Sequence, residues 1–210
     1  CIERSMHSAT KSFTATAIGL LIDEGRLKLE DTVMSFFPEY APENPCDNLK
    51  KMNVWHLLTM TCGHDSVPPR KGTDNYVKQF LNHPVPYVPG THFQYSSMAS
   101  YMLTAIIRKV TGQNMTRYLR TRIFEPLGIY DAYCDTCPMG IEYGGGGLFL
   151  RTEDLAKLAV LYLNNGIWNG VRLLSESWVK EFTKMQFRDS WSHSNPTLKP
   201  DWYCGYGFQN

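Results

Sequence analysis

The chain has 210 residues, 43% apolar and 20% charged, a balance that excludes disordered, collagen-like and coiled-coil classes. That length builds a proper core without a metal or a disulfide framework, and one domain spanning residues 1–210 is expected. Twenty-one Lys and Arg against 20 Asp and Glu give a net charge of +1 with no basic stripe, so nucleic acid is not an expected partner.

From Ala9 to Glu24 the pattern is helical: Phe13, Ala17, Leu20 and Leu21 recur on one face, and Gly25 follows as a stop. Because no charge falls between Lys11 and Asp23, this helix is expected to be buried nearly all round and to form the spine of the fold. Asn53 caps a short helix carrying Val54, Leu57 and Leu58; Thr73 or Asp74 caps another carrying Val77, Phe80 and Leu81. Pro84 to Thr91 runs extended into a turn, after which a helix with Met98, Tyr101, Met102, Ala105 and Ile106 on its inner side ends at Gly112. An amphipathic helix follows from Met115 to about Phe124. Gly144 to Leu150 reads as a strand, and Asn169-Gly170 as a tight turn between Ile167-Trp168 and Val171-Leu174. Thr152 opens a helix with Leu155, Leu158, Ala159, Tyr162 and Leu163 on one face, and Ser175 opens another. These strands are too few to cover so apolar a first helix; a sheet is missing.

The uncharged run of the first helix, Ser12 to Ile22, is too short for a membrane span, which needs about 18 apolar residues. Six cysteines, at 1, 46, 62, 134, 137 and 204, do not form a secreted-type framework and favour a reducing, cytoplasmic setting. With no initiator Met and no signal peptide, the chain reads as a piece of something longer.

The sharpest chemical signal is Ser8-Ala9-Thr10-Lys11 at the start of the buried helix. Positions i and i+3 share a helical face, so the Lys amine comes within reach of the Ser hydroxyl, and the unpaired N–H groups of a helix start favour an oxyanion there. A low-dielectric setting disfavours an ammonium, and a neutral amine is what a general base must be. A Ser N-cap followed by a surface Lys has the same spelling. Cys134-Asp-Thr-Cys137 has the spacing of half a zinc site or a redox pair, but no second pair accompanies it, and Cys62-Gly-His64 completes four ligands only by long-range coincidence. The Gly144–Gly147 run lacks the following Lys of a phosphate loop, so close backbone packing explains it better. His7, beside Ser8, is expected to point away from the cleft, and Arg4, Trp55 and Trp202 have no role beyond packing or surface charge.

The run "SATKSFTATAIGLLIDEGRLKLEDTV" resembles the nucleophile helix of the class C serine β-lactamase and penicillin-binding-protein-like family of serine hydrolases. The resemblance continues through "WHLLTMTCGH", "PGTHFQYSSMASYMLTAIIRKVTGQNMTRYLRTRIFEPLGI" and "GGGGLFLRTEDLAKLAVLYLNNGIWNGVRLLSESWV". It implies an α+β, β-lactamase/transpeptidase-like fold: a helix-rich segment around the nucleophile helix, with the antiparallel sheet mostly contributed by strands outside this chain. It also implies Ser8 as the acylated nucleophile, Lys11 as its general-base partner and Tyr95 as the Tyr of a Y-x-N element. Ser97 stands where that element has Asn, a substrate-binding position, and so loses an amide that both donates and accepts. The family's third motif, which lines the opposite cleft wall and supplies an oxyanion donor, has no match; "WYCGYGFQN" resembles the start of the strand before it. The activity implied is hydrolysis of small esters, D-amino-acid amides or β-lactams, with no cofactor and no metal. The alternative is a non-catalytic binding or scaffold protein that keeps the fold.

Overall fold

The structure is a computed structural model that describes residues 2–70, 74–188 and 203–204, the backbone alone at 187–188 and 203–204. A short strand β1 (Arg4–Ser5) and a 3₁₀ turn (His7–Ala9) lead into α1 (Thr10–Asp23). Every residue from Thr10 to Leu21 is buried, as the uncharged sequence requires, and Gly25 at φ +67° ends the helix in the left-handed conformation that favours glycine. The polar members of α1 bond inward: Thr14 Oγ1 donates to the Gly144 carbonyl at 2.8 Å and Thr16 Oγ1 to that of Ser12 at 2.7 Å. Burying hydroxyls this way avoids the penalty of unmade hydrogen bonds.

Four short helices follow: α2 (Val33–Phe36), α3 (Asp47–Lys51), α4 (Val54–Thr59) and α5 (Tyr76–Leu81). Asn53 caps α4 as expected, and His56 returns the bond by accepting from the Asn53 N–H through Nδ1 at 3.1 Å. The cap of α5 differs from expectation: Asn75 Oδ1 accepts from Lys78 N at 2.9 Å, and Thr73 lies outside the described residues. Next comes α6 (Ser97–Thr111), capped by Ser96 and stopped by Gly112 at φ +71°. It packs along both α1 and α4. The amphipathic run expected from Met115 to Phe124 divides into α7 (Met115–Leu119) and a π-helical turn (Arg120–Phe124), with Glu125 N bonded to the Arg120 carbonyl at 2.8 Å.

The expected Gly144–Leu150 strand is shorter. Strands β2 (Tyr133–Cys134) and β3 (Leu148–Leu150) pair, but Gly144–Gly147 folds into a turn pressed on α6. In α8 (Thr152–Leu163) the buried residues are Asp154, Leu158, Leu161 and Tyr162, while Ala159 and Leu163 face solvent. Asp154 causes this rotation of the expected face: it turns inward to take an ion pair from Lys157 at 2.6 Å, with Arg151 at 3.5 Å. A hairpin of β4 (Ile167–Trp168) and β5 (Val171–Arg172) turns on Asn169-Gly170, both at positive φ as that dipeptide predicts. Ser175 caps α9 (Glu176–Thr183), and β6 (Phe187–Arg188) pairs with β7 (Tyr203–Cys204).

The architecture is therefore α+β, with helices around α1 and small antiparallel sheets, the largest among the described residues having strand order β1-β3-β2. Helix α9 seats on α1 through Trp178, whose indole fills the place of a side chain at Gly19; a Cβ there would lie 2.1 Å from the ring. No helix among the described residues is long and apolar enough to cross a membrane.

His64 is buried, edge-on to Phe80 with ring centroids 4.8 Å apart and to His83 at 5.2 Å, and neither of its ring nitrogens has a hydrogen-bond partner among the described residues. Burial lowers its pKa from 6.5 to about 4, and burial does the same to His56. The unfolded chain therefore takes up these protons between pH 6.5 and about 4 while the folded chain refuses them. Stability is fully present above that window and falls as pH drops through it, by up to about 1.4 kcal/mol per pH unit for the proton refused at His64 and by less at the part-exposed His56, where solvent screens the charge. Urea unfolding at a series of pH values is expected to show a shallower acid loss in His64→Leu than in the unmodified protein.

Candidate active site

Three elements converge on Ser8. The 3₁₀ turn before α1 presents it, exposed, with His7 immediately before it at φ +45°. A left-handed backbone costs a residue with a Cβ about 1–2 kcal/mol, so this strain is set beside the serine by the β1 pairing and the turn. That pairing runs antiparallel to β3, Arg4 opposite Leu150, and continues as a 2.8 Å bond from Met6 N to the Leu148 carbonyl. The sequence placed Ser8 at the N-terminus of the buried helix; it lies in the 3₁₀ turn just ahead of α1, and the three-residue spacing to Lys11 closes.

Lys11 is 4% exposed. Its amine contacts Ser8 Oγ at 3.3 Å, Ser97 Oγ at 3.4 Å and the Gly145 carbonyl at 2.5 Å. It also lies 4.9 Å from the centre of the Tyr95 ring. Among the described residues no carboxylate pairs with it. The Tyr95 hydroxyl shares a 2.7 Å hydrogen bond with Ser8 Oγ. Tyr95 is held just ahead of α6 by Gln94 N bonding the Met60 carbonyl at 3.0 Å, and Met60 and Phe93 pack against its ring. Ser97 is the first residue of α6, so the helix start itself aims its hydroxyl at Lys11. Ser8, Lys11, Tyr95 and Ser97, four residues singled out in the sequence, are thus brought together.

Gly145 was not singled out for this site. The glycine run was read as close packing, which is what α6 imposes: a Cβ on Gly144 would meet Thr104 Cγ2 at 2.4 Å, and one on Gly145 would meet Ser97 Cβ at 2.7 Å. The same fit delivers the Gly145 carbonyl to Lys11. Upstream, Glu142 is buried and accepts from both the N–H and the hydroxyl of Thr116 at the start of α7, while its carbonyl accepts from Thr104 Oγ1 at 2.6 Å. Burial pushes the Glu142 carboxyl above the ordinary carboxylate range, partly offset by these bonds from Thr116.

The cysteines lie apart from this constellation in their bonding. Cys137 is buried with its sulfur 3.3 Å from the Tyr101 hydroxyl, Cys134 donates to the Tyr143 carbonyl, and Cys62 donates to the His56 carbonyl. Burial pushes the Cys62 and Cys134 thiols well up, away from thiolate chemistry. Among the described residues no three His, Cys, Asp or Glu side chains cluster as metal ligands. Trp55 donates to Gln186 at 3.1 Å, and Trp202 lies outside the described residues.

Set against known proteins, residues 5–209 match the Beta-lactamase family. The chain belongs to the Beta-lactamase family. It is 28% identical over 192 residues to the 6-aminohexanoate-dimer hydrolase of Paenarthrobacter ureafaciens, covering 82% of this chain and 48% of that protein. Among solved structures, a penicillin-binding protein homologue from Caulobacter crescentus superposes with a TM-score of 0.77 at 19% identity, over 99% of this chain and 67% of that one. A D-stereospecific amidohydrolase from Streptomyces sp. gives 0.73 at 22% identity, over 99% and 71%. These likenesses show the β-lactamase/transpeptidase-like fold. The chain spans about half the length of the curated relatives it matches, between 48% and 59% for three of them.

The packing of the Gly144–Gly147 turn is open to test. Gly145→Ala is expected to lower stability by about 1–3 kcal/mol through overpacking on Ser97, measured as a fall in the urea midpoint at unchanged m-value.

Proposed function

We propose that this chain carries the nucleophile of a serine hydrolase that works through an acyl-enzyme on Ser8. The observation that supports it best is the placing of one exposed hydroxyl between two proton carriers, Tyr95 at 2.7 Å and Lys11 at 3.3 Å. In this reading Ser8 Oγ attacks a carbonyl carbon and its proton passes to the Lys11 amine. The carbonyl electrons become an oxyanion beside the N–H of Ser8 itself, in the turn that opens α1. Collapse breaks the bond to the alcohol or amine, which leaves with a proton relayed through Tyr95. Water then repeats the sequence on the acyl-enzyme and frees Ser8.

The test is covalent labelling of the full-length protein with a fluorophosphonate and a β-lactam. Peptide mass spectrometry is expected to find the adduct on Ser8; an adduct elsewhere, or none with probes of several sizes, counts against the reading. Lys11→Ala is expected to lower turnover by about 10²–10⁴-fold. Lys11→Arg should not rescue it, because a guanidinium stays protonated.

Substrate preference follows from Ser97. Its hydroxyl reaches Lys11, so the proton path keeps its partner, yet it lacks the length and second polar atom with which an amide would engage a substrate's own amide group. An unpaired amide in a desolvated cleft costs about 1–3 kcal/mol. Simple esters and short D-amino-acid amides are therefore the preferred substrates over β-lactams. In full-length protein, kcat/KM for a p-nitrophenyl ester is expected to exceed that for a chromogenic cephalosporin, and Ser97→Asn to narrow the gap. Fast cephalosporin hydrolysis by the unmodified enzyme would refute this.

A further inference from the structure

Residues 144–147 are four glycines in a row, the loosest backbone a chain can use, and the carbonyl that accepts from the Lys11 amine lies inside this run. Missing side chains let the turn approach α6, but they leave the direction of each carbonyl to be set by something else. Two of the amides are held from within the turn: Gly146 N and Gly147 N both bond the Tyr143 carbonyl, at 3.1 and 2.9 Å. The carbonyls are held from α1. Lys11 Nζ donates to the Gly145 carbonyl at 2.5 Å, Thr14 Oγ1 to the Gly144 carbonyl at 2.8 Å, and Thr10 Oγ1 accepts from Leu148 N at 3.2 Å. Of these three residues, Thr14 makes the bond that its own helix does not require. A threonine inside a helix ordinarily returns its hydroxyl to the carbonyl four residues back, as Thr16 does to Ser12 at 2.7 Å. Thr14 has the same option in the Thr10 carbonyl, yet that oxygen is 3.3 Å away and the Gly144 oxygen 2.8 Å. A hydroxyl has one proton to give, and Met115 Sδ, at 3.2 Å, is too weak an acceptor to compete for it.

We propose that Thr14 is a positioning residue for the Ser8 reaction: by pinning the Gly144 carbonyl to α1 it fixes the backbone that presents the Gly145 carbonyl to Lys11. The proposal rests on the Ser8 reading for the reaction that is served. A peptide group is planar, so each bond to it fixes a whole unit. The plane that joins Gly144 to Gly145 is fixed by Thr14, and the next one, which carries the Gly145 carbonyl, is fixed at its other end by the bond from Gly146 N to Tyr143. Valine at position 14 keeps the shape of threonine and removes the donor. The Gly144 carbonyl is then buried without that partner, an unfavourable state that drives the peptide to turn, and glycine on both sides of it permits the rotation. The Gly145 carbonyl swings with it, and the Lys11 amine loses the oxygen that holds it 3.3 Å from Ser8 Oγ. Thr16 is the natural contrast, since it is equally buried on the same helix and bonds Ser12 and the Tyr162 hydroxyl instead of the turn.

The experiment compares Thr14→Val, Thr14→Ser and Thr16→Val in full-length protein, with a p-nitrophenyl ester as substrate and the urea midpoint of each variant as the check on stability. Thr14→Val is expected to lower kcat about ten- to a hundredfold while KM stays within about twofold, because a proton acceptor is misplaced and no substrate contact is lost. Thr14→Ser keeps the hydroxyl and should regain most of the rate. Thr16→Val should lose stability to a similar degree and keep its kcat. If valine at position 14 prevents folding, Thr14→Cys takes its place, with a thiol that donates weakly and so gives a partial loss. The Lys11 Cε resonance in isotope-labelled protein, assigned with Lys11→Arg, reads the same contact without any chemistry; it is expected to move in Thr14→Val and not in Thr16→Val. That pattern in a protein whose unmodified form turns over no ester supports the positioning role and sinks the Ser8 reading. An unmoved Lys11 resonance overturns the positioning role. So does, in an active protein, an unchanged kcat in Thr14→Val, a loss that serine does not restore, or an equal loss in Thr16→Val.

Discussion

Almost everything near the cleft is arranged around one awkward requirement, that an amine be carried 4% exposed at the head of the central helix and find oxygen partners there. Removing a lysine nitrogen from water is costly unless hydrogen bonds replace the lost hydration. Serine hydroxyls on both sides and the Gly145 carbonyl do so, and each has to be delivered from a different element. Helix α6 must begin at Ser97, β1 must pair with β3 so that the chain turns at Ser8, and residues 144 and 145 must lack side chains so that their backbone can lie on α6. Hydrophobic burial assembles the helices, and the needs of a single nitrogen fix how closely they approach.

The helices with one-sided or unbroken apolar patterns were legible in the sequence because burial enforces that pattern directly. The run from Ser12 to Ile22 has no charge to expose, and Gly25 and Gly112 stop their helices where φ turns positive. Asn53, Ser175 and the Asn169-Gly170 turn were legible for the same local reason. Errors arose where a polar pairing or a packing neighbour overrode the apolar pattern. Asp154 turned inward on α8 because Lys157 and Arg151, one turn away on either side, meet it, a pairing that apolar periodicity does not register. The strand expected from Gly144 became a turn because α6 lay against it, and that neighbour is not visible within a short window of sequence.

The site divides along the same line. Ser8 and Lys11 are three apart, so local geometry alone pairs them; Tyr95, 87 residues from Ser8, and Ser97, 86 from Lys11, were placed through family resemblance and not through any pattern of their own. The Gly145 carbonyl could not have been named, since a backbone acceptor carries no signature beyond the glycines that let it approach. Nor does anything in Met-His-Ser announce a left-handed residue at His7, where glycine would be the ordinary choice.

The segment from Glu142 to Gly145 has an effect on heredity of function. Within four residues it grips the first turn of α7 through Thr116, the middle of α6 through Thr104, and the Lys11 amine. Such a segment cannot slip at one end and stay in register at the other. A lineage that altered Thr116, which bonds to neither Ser8 nor Lys11, would loosen the segment whose carbonyl Lys11 depends on. Sequence drift in α7 is thus judged at the cleft, and a variant there would present as an active-site defect in a protein whose cleft residues are all intact.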